Sequence, residues 1–280
     1  MSQFAKKSVL KTFTLPLMIA TITVMSGCAT TMKPEVRSAY DQTQQSLANQ
    51  SVAVITDGCI VRVEIGKNDI MYQQSDLVSL AMAQTVKTRL TEKGLKISNT
   101  SSPFVCGTIT KDALTKMDIL ITDKAKDQLN TAYPILSSTN SFDATTNQAY
   151  LNLYTALDNK KAEANKAKTA YTALGLDTTS LNSIRKAEGA NKVFVAMVTG
   201  AKPSFGYSMA IATVSVVATQ GTYAGTSYAS QGQFYTIYLV NLETNQIEWA
   251  KSGDITGNVF KMPVDEAFTL PKMFDPLYAE

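Results

Sequence analysis

The chain has 280 residues and no histidine. That absence removes the Ser-His-Asp triad, the Cys-His dyad and the common zinc and iron sites that need imidazole. Cysteine is scarce, at three residues, and tryptophan occurs once. Glycine-rich phosphate cradles and EF-hand loops are missing too. An excess of one charge is missing in substance: 26 Lys and Arg face 23 Asp and Glu, and Lys6, Lys7 and Lys11 lie in an acid-free leader of 27 residues. Behind that leader the charges balance, which argues against electrostatic nucleic-acid binding. No apolar run reaches the roughly 18 residues of a membrane-spanning helix. What is present is globular: 45% hydrophobic and 18% charged residues, in a length that suits one large domain or two small ones.

Residues 1–11 are basic and residues 12–25 apolar, too short to span a bilayer as a helix. This is the anatomy of an export signal. Its end, Met25-Ser26-Gly27-Cys28, resembles the lipobox of bacterial lipoproteins. The resemblance implies cleavage before Cys28 and acylation of Cys28, an anchor that exceeds the two lipid signals needed for stable attachment. Ala29 rather than Asp follows, which by the same resemblance implies the outer membrane, facing the periplasm. Residues 28–50 are polar and read as a tether, with Lys33-Pro34-Glu35 able to start a short helix.

With Cys28 set aside, Cys59 and Cys106 form an even pair in an oxidising compartment. Both sit in apolar, strand-like surroundings. A bridge would close a loop of 47 positions and contribute about 4 kcal/mol in the chain-entropy model. Two buried free thiols are the alternative.

Residues 51–55 and 59–65 read as strands, separate or continuous across Gly58. A helix follows, with Gln74-Ser75-Asp76 as its cap region and Gly94 as its stop. Val78, Met82, Val86 and Leu90 mark its apolar face, widened by Leu77, Leu80 and Ala81. Strands over 95–97 and 104–109 complete a β-α-β order, so the fold class is α/β (α+β), a mixed sheet packed by helices. Residues 111–183 read as a mainly helical insertion. Residues 117–121 are ambiguous between strand and helix. Tyr150, Leu153, Leu157, Lys160, Ala164, Ala167, Tyr171 and Leu174 then recur at spacings of three and four. They predict a helix over 145–174, about 45 Å long, paired with a helix from 111–136 in a hairpin. A coiled-coil contact with another protein is the alternative. Asp177-Thr178-Thr179 caps a short helix to Gly189, and 192–198 is a buried strand. Residues 208–219 fit helix or strand equally. Residues 220–231 are a Gly/Ser/Tyr loop, and 234–240 with 246–250 form a β-hairpin. The domain reading is therefore 1–27 signal, 28–50 tether, 51–110 with 184–280 an α/β domain, and 111–183 its insertion.

Residues 51–55 with the helix ending at Gly94, then Ile184-Arg185-Lys186-Ala187-Glu188-Gly189-Ala190-Asn191 before the strand at 193–195, and the hairpin Tyr238 to Trp249 are similar to a group of bacterial envelope lipoproteins. The group includes the curli-secretion family, the activators of penicillin-binding proteins and small uncharacterised relatives. Its shared core looks like the N-terminal domain of the Tol translocation protein. The hairpin resembles that group's strand, Asp-x-x-Thr-Gly, strand, Trp pattern, with Asn241 and Asn245 in place of Asp and Gly. The resemblance implies a non-enzymatic binding or scaffolding protein, without cofactor or metal, whose partner is an envelope protein or peptidoglycan.

Gly206-Tyr207-Ser208-Met209-Ala210 approximates a nucleophile elbow, but no histidine exists to serve Ser208 as base. Glu248, Asp254, Asp265 and Glu266 are the carboxylates that a glycan-cleaving enzyme would need, and they read as solvated surface. A secretion-pore subunit would need long alternating strands, which 208–240 offers only in patches. Tyrosines 207, 223, 228, 235 and 238 form the most suggestive cluster. Alternation puts Tyr235 and Tyr238 on opposite strand faces. Tyr223 and Tyr228, in a loop of small residues, are the expected partner-binding pair.

Overall fold

The computed structural model describes residues 33–64, 68–100, 104–109, 117–120, 136–137, 142–164, 172–204, 232–260, 270 and 272–278. Their architecture is a mixed sheet with helices on both faces, as the α/β pattern predicts.

Strand β1 (Ser51–Val63) is the axis, and it runs through Gly58 without a break. It is buried over nine consecutive residues, which explains its continuous apolar run. Along one side it pairs in parallel with β8 (Lys192–Pro203) over twelve positions. Along the other side it meets three short strands in turn. These are β3 (Lys96–Thr100), parallel; β4 (Phe104–Val105), parallel; and β2 (Asn68–Met71), antiparallel. Beyond β8 lie β9 (Gly232–Asn241) and β10 (Gln246–Asp254), the expected hairpin. Among the described residues the edges are β5 (Met117–Leu120), parallel to β2, and β7 (Thr172–Ala173), antiparallel to β10; β6 (Leu136–Ser137) pairs with β4.

Side-chain alternation gives each face its own cover. Ala53 and Ile55 of β1, Val193, Val195 and Met197 of β8, and Tyr238 and Val240 of β9 share one core. Two helices close it: α3 (Ala144–Ala164) and α4 (Thr178–Glu188). The opposite face carries α1 (Pro34–Ala48) and α2 (Tyr72–Glu92). On that side Phe194, Trp249 and Phe274 stack edge to face and tilted, with centroids 5.7–6.5 Å apart.

Several expectations change. Within the polar segment, the helix that Lys33-Pro34-Glu35 could start runs over 34–48 and docks: Val36, Tyr40, Thr43 and Leu47 of α1 are buried, a stripe of four residues at spacings of four and three. Helix α2 starts at Tyr72, before the expected cap, because Ser75 is used inward. Its hydroxyl donates to Met71 O at 2.8 Å and accepts the Ile60 N–H at 2.9 Å. Val78, Met82, Val86 and Leu90 are fully buried as read, whereas Leu80 is 44% exposed. The strand expected over 104–109 stops at Val105, where the chain turns at Cys106, φ 54°.

The ambiguous 117–120 is strand β5, not part of a helical hairpin. Most of the expected 111–136 partner lies outside the described residues. Helix α3 needs no such partner, because Tyr150, Leu153, Tyr154 and Leu157 are fully buried against the sheet and α4. Tyr150, Leu153 and Leu157 of the seam are thereby taken up inside the domain, not offered as a coiled-coil surface, while Ala167 and Tyr171 lie outside the described residues. The helix does not reach 174: Thr172–Ala173 is strand, and Leu174 is buried from a loop. Asp177 caps α4 as read, accepting from Ser180 N at 2.8 Å.

Candidate functional site

The two hairpin positions that depart from the resembled pattern are both used. Asn241 Oδ1 accepts the N–H groups of Glu243 and Thr244, at 3.0 and 3.1 Å, and its Nδ2 donates to Glu248 Oε1 at 2.8 Å. An Asp could close the turn but would repel Glu248. Asn245 takes the left-handed conformation, φ 56°, which Asn tolerates. Its side chain also accepts from Leu176 N at 3.1 Å and donates to Leu176 O at 2.8 Å, fastening the segment after β7.

Of the residues singled out from sequence, Cys59 and Cys106 are bonded to each other, with Cα atoms 4.4 Å apart. Tyr235 and Tyr238 lie on opposite faces of β9, and both are buried. Cys28, Tyr207, Ser208, Tyr223, Tyr228, Asp265 and Glu266 lie outside the described residues. Asp254 is exposed, as expected. Glu248 is not surface: it is 6% exposed and its Oε2 accepts from Lys192 Nζ at 2.6 Å. A carboxylate bound to a lysine and to Asn241 inside the sheet layer is a structural ion pair, and it does not form a catalytic dyad with Asp254.

The structure offers two features that sequence reading missed. The first is an open cleft of about 600 Å³ at the end of α4. Gln50 and Ser51 from the α1–β1 link, Asn182, Arg185 and Lys186 from α4, and Gly189 to Asn191 line it. Its lining holds two cations, three amides and a hydroxyl, and no acid. Arg185 is half-buried and oriented by Asn191, whose Oδ1 accepts from Nε at 3.1 Å. Among the described residues that is the one hydrogen bond of the guanidinium, which lines the cleft. A guanidinium fork beside an ammonium and amides suits the oxygens of a carboxylate or phosphate. The sequence signal was Arg185-Lys186 itself, which reads equally as cations placed on a helix C-terminus.

The second feature is Asp57, fully buried on the α3 face of β1. Its Oδ1 accepts the Gly107 N–H at 2.9 Å; Oδ2 has no hydrogen-bond partner among the described residues, and neither has the buried hydroxyl of Tyr154. Burial pushes the carboxyl up to about 7, against the opposing pull of the Gly107 N–H. The Tyr154 hydroxyl is raised well above the usual tyrosine range, by burial first and then by the charge of Asp57. An acid inside the apolar run Val54-Ile55-Thr56-Asp57-Gly58-Cys59-Ile60 was the available signal.

Among the described residues no group of three or more Cys, Asp and Glu is placed to hold a metal ion, and no helix is long and apolar enough to cross a membrane. No protein-family model, curated protein or solved structure matches the chain.

Proposed function

We propose that this chain is a lipid-anchored, non-catalytic envelope protein that binds another envelope component carrying carboxylate or phosphate groups. The observation that carries the reading is the Cys59–Cys106 bond. A disulfide inside the body fits an exported protein, and it leaves Cys28 as the odd cysteine, at the end of an export-type leader with small residues before it. The anchor is then the Cys28 lipid, and the location is the periplasmic face of the outer membrane. The donor-rich cleft at Arg185 and Lys186 supports the binding of anionic groups, because its two cations, three amides and hydroxyl match their oxygens. The Tyr223 and Tyr228 loop stays part of the reading as a second contact surface.

Two measurements test it. Cells fed a palmitate analogue should label the wild-type chain and not Cys28→Ala; equal labelling overturns the anchor. Crosslinked envelopes should yield a partner with wild type that is lost with Arg185→Glu/Lys186→Glu at unchanged melting temperature. Retention by that variant and loss with Tyr223→Ala/Tyr228→Ala would move the contact to the loop.

A further inference from the structure

The cleft at the end of α4 is also where α1 ends. Gly189, the left-handed cap residue of α4 at φ 64°, lines it, and so do Gln50 and Ser51, which follow the Asn49 cap of α1. The C-terminal end of a helix carries unpaired carbonyl groups and about half a negative charge. Two such ends therefore open on one cleft. Arg185 and Lys186 stand in the last turn of α4, whereas the last turn of α1 has no basic residue. The cleft thus combines a pair of cations with two sets of carbonyl acceptors. Asn191 holds the arginine in place: its Oδ1 accepts from Arg185 Nε at 3.1 Å, and its Nδ2 donates to Glu243 Oε2 at 3.5 Å. Lys186 also feels the carboxylate of Asp143, ahead of α3. The side chains of Gln50, Ser51 and Asn182 are exposed and make no hydrogen bond among the described residues. Amides and hydroxyls of this kind both donate and accept.

We propose, on the basis of the anionic reading of this cleft, that it takes the free carboxyl end of a peptide. The carboxylate meets Arg185 and Lys186, and the peptide N–H groups meet the carbonyls of the two helix ends. Phosphate sites are built at helix N-termini, where N–H groups and the positive end of the dipole face the ligand. Here the opposite ends converge, so a dianion meets two negative dipole ends along with the two cations. A carboxylate carries a single charge and fits a guanidinium fork. In a peptide it also arrives with N–H donors, which the carbonyl ends accept. Gln50, Ser51 and Asn182 offer both kinds of partner to the peptide group behind the carboxylate.

Proton–nitrogen NMR titration of the full-length protein in detergent micelles tests it, with N-acetylglycylalanine, its C-terminal amide, acetate and inorganic phosphate as ligands. The free acid of the peptide should move the backbone N–H signals of Gly189 and Asn191, and the side-chain N–H of Arg185, to saturation. The amide should bind at least about tenfold more weakly, the loss expected for a charge-assisted hydrogen bond. Acetate brings the carboxylate without N–H groups, and it too should bind more weakly than the peptide acid. Phosphate should need a higher concentration than the peptide acid. Arg185→Lys keeps the charge and loses the fork, so its affinity for the peptide acid should fall several-fold at an unchanged melting temperature. Equal binding of acid and amide, equal binding of acid and acetate, or undiminished binding by Arg185→Lys overturns the proposal. Tighter binding of phosphate overturns it as well, while leaving the anionic reading of the cleft standing. No response to any of the four ligands removes both.

Discussion

Lys192 and Glu248 are bonded at 2.6 Å while only 6% and 8% of their side chains are exposed. The pair joins three elements. Lys192 opens β8, Glu248 sits at the bulge of β10, and the lysine's Nζ also reaches Ser46 Oγ of α1 at 2.7 Å. Removing one partner leaves a buried charge without compensation, which costs about 3–5 kcal/mol. Lys192→Met should therefore lower the urea midpoint sharply. Lys192→Met combined with Glu248→Gln should recover much of the loss, since no charge is left stranded. A double variant no more stable than the single one would show that the pair's geometry, rather than the stranded carboxylate, sets the cost.

Gly58 is where β1 touches α2. A Cβ on it would lie 2.1 Å from Ser75 O and 2.9 Å from Ser79 N, both backbone atoms of α2. Backbone cannot rotate aside, so Gly58→Ala must push the helix off the strand and break the Ser79 to Thr56 hydroxyl contact of 3.1 Å. Overpacking of this kind costs about 1–3 kcal/mol or more. Thermal melts should show a drop of several degrees, and a melting temperature within error of wild type is the result that refutes it.

Periodicity made the sheet and its main helices legible. Val78, Met82, Val86 and Leu90 announced the buried face of α2, and the hairpin around Asn241 and Asn245 announced β9 and β10. The start of helix α1 was legible in Lys33-Pro34-Glu35, but its docking was not, because Val36, Tyr40, Thr43 and Leu47 lie among charges and glutamines and gain their burial only from the sheet they meet. The 145–174 seam was extended too far for a related reason. Its middle members, Lys160, Ala164 and Ala167, are small or polar, so their spacing is a weak helix signal, and β10 pairs with Thr172 and Ala173 as a strand. Asp57 and the cleft depend on which segments converge. One lies between a strand, a turn and a helix, the other between the end of α4 and the α1–β1 link, and no local pattern encodes either meeting.

Asp177 gives a pH dependence of the opposite sign to Asp57. The hydroxyl and backbone N–H of Ser180 hold its carboxylate below the usual range, with bonds of 2.6 and 2.8 Å. Stability from a depressed carboxylate is present above its unfolded value and fades as pH falls through the folded one. Asp177→Ala should therefore melt below wild type at pH 7, and the gap should narrow below pH 3.8. A gap that is constant from pH 7 to pH 2.5 would assign the effect to helix propensity alone.

The disulfide offers a test that separates the cross-link from the backbone that carries it. Removing the bond restores the freedom of a 47-position loop in the unfolded chain, so Cys59→Ala/Cys106→Ala should lose about 4 kcal/mol. Cys106 stands at φ 54°, in the left-handed region that a side chain makes unfavourable. With the bond gone, that cost remains for alanine and disappears for glycine. Cys59→Ala/Cys106→Gly should accordingly be more stable than Cys59→Ala/Cys106→Ala by about 1 kcal/mol, despite the greater freedom glycine gives the unfolded chain. Chemical denaturation of both variants under one buffer measures the difference directly. If the alanine variant is the more stable, the turn at Cys106 relaxes out of the left-handed region once the bond is removed, and the conformation belongs to the cross-link instead of to the contact between Gly107, Asp57 and Tyr154.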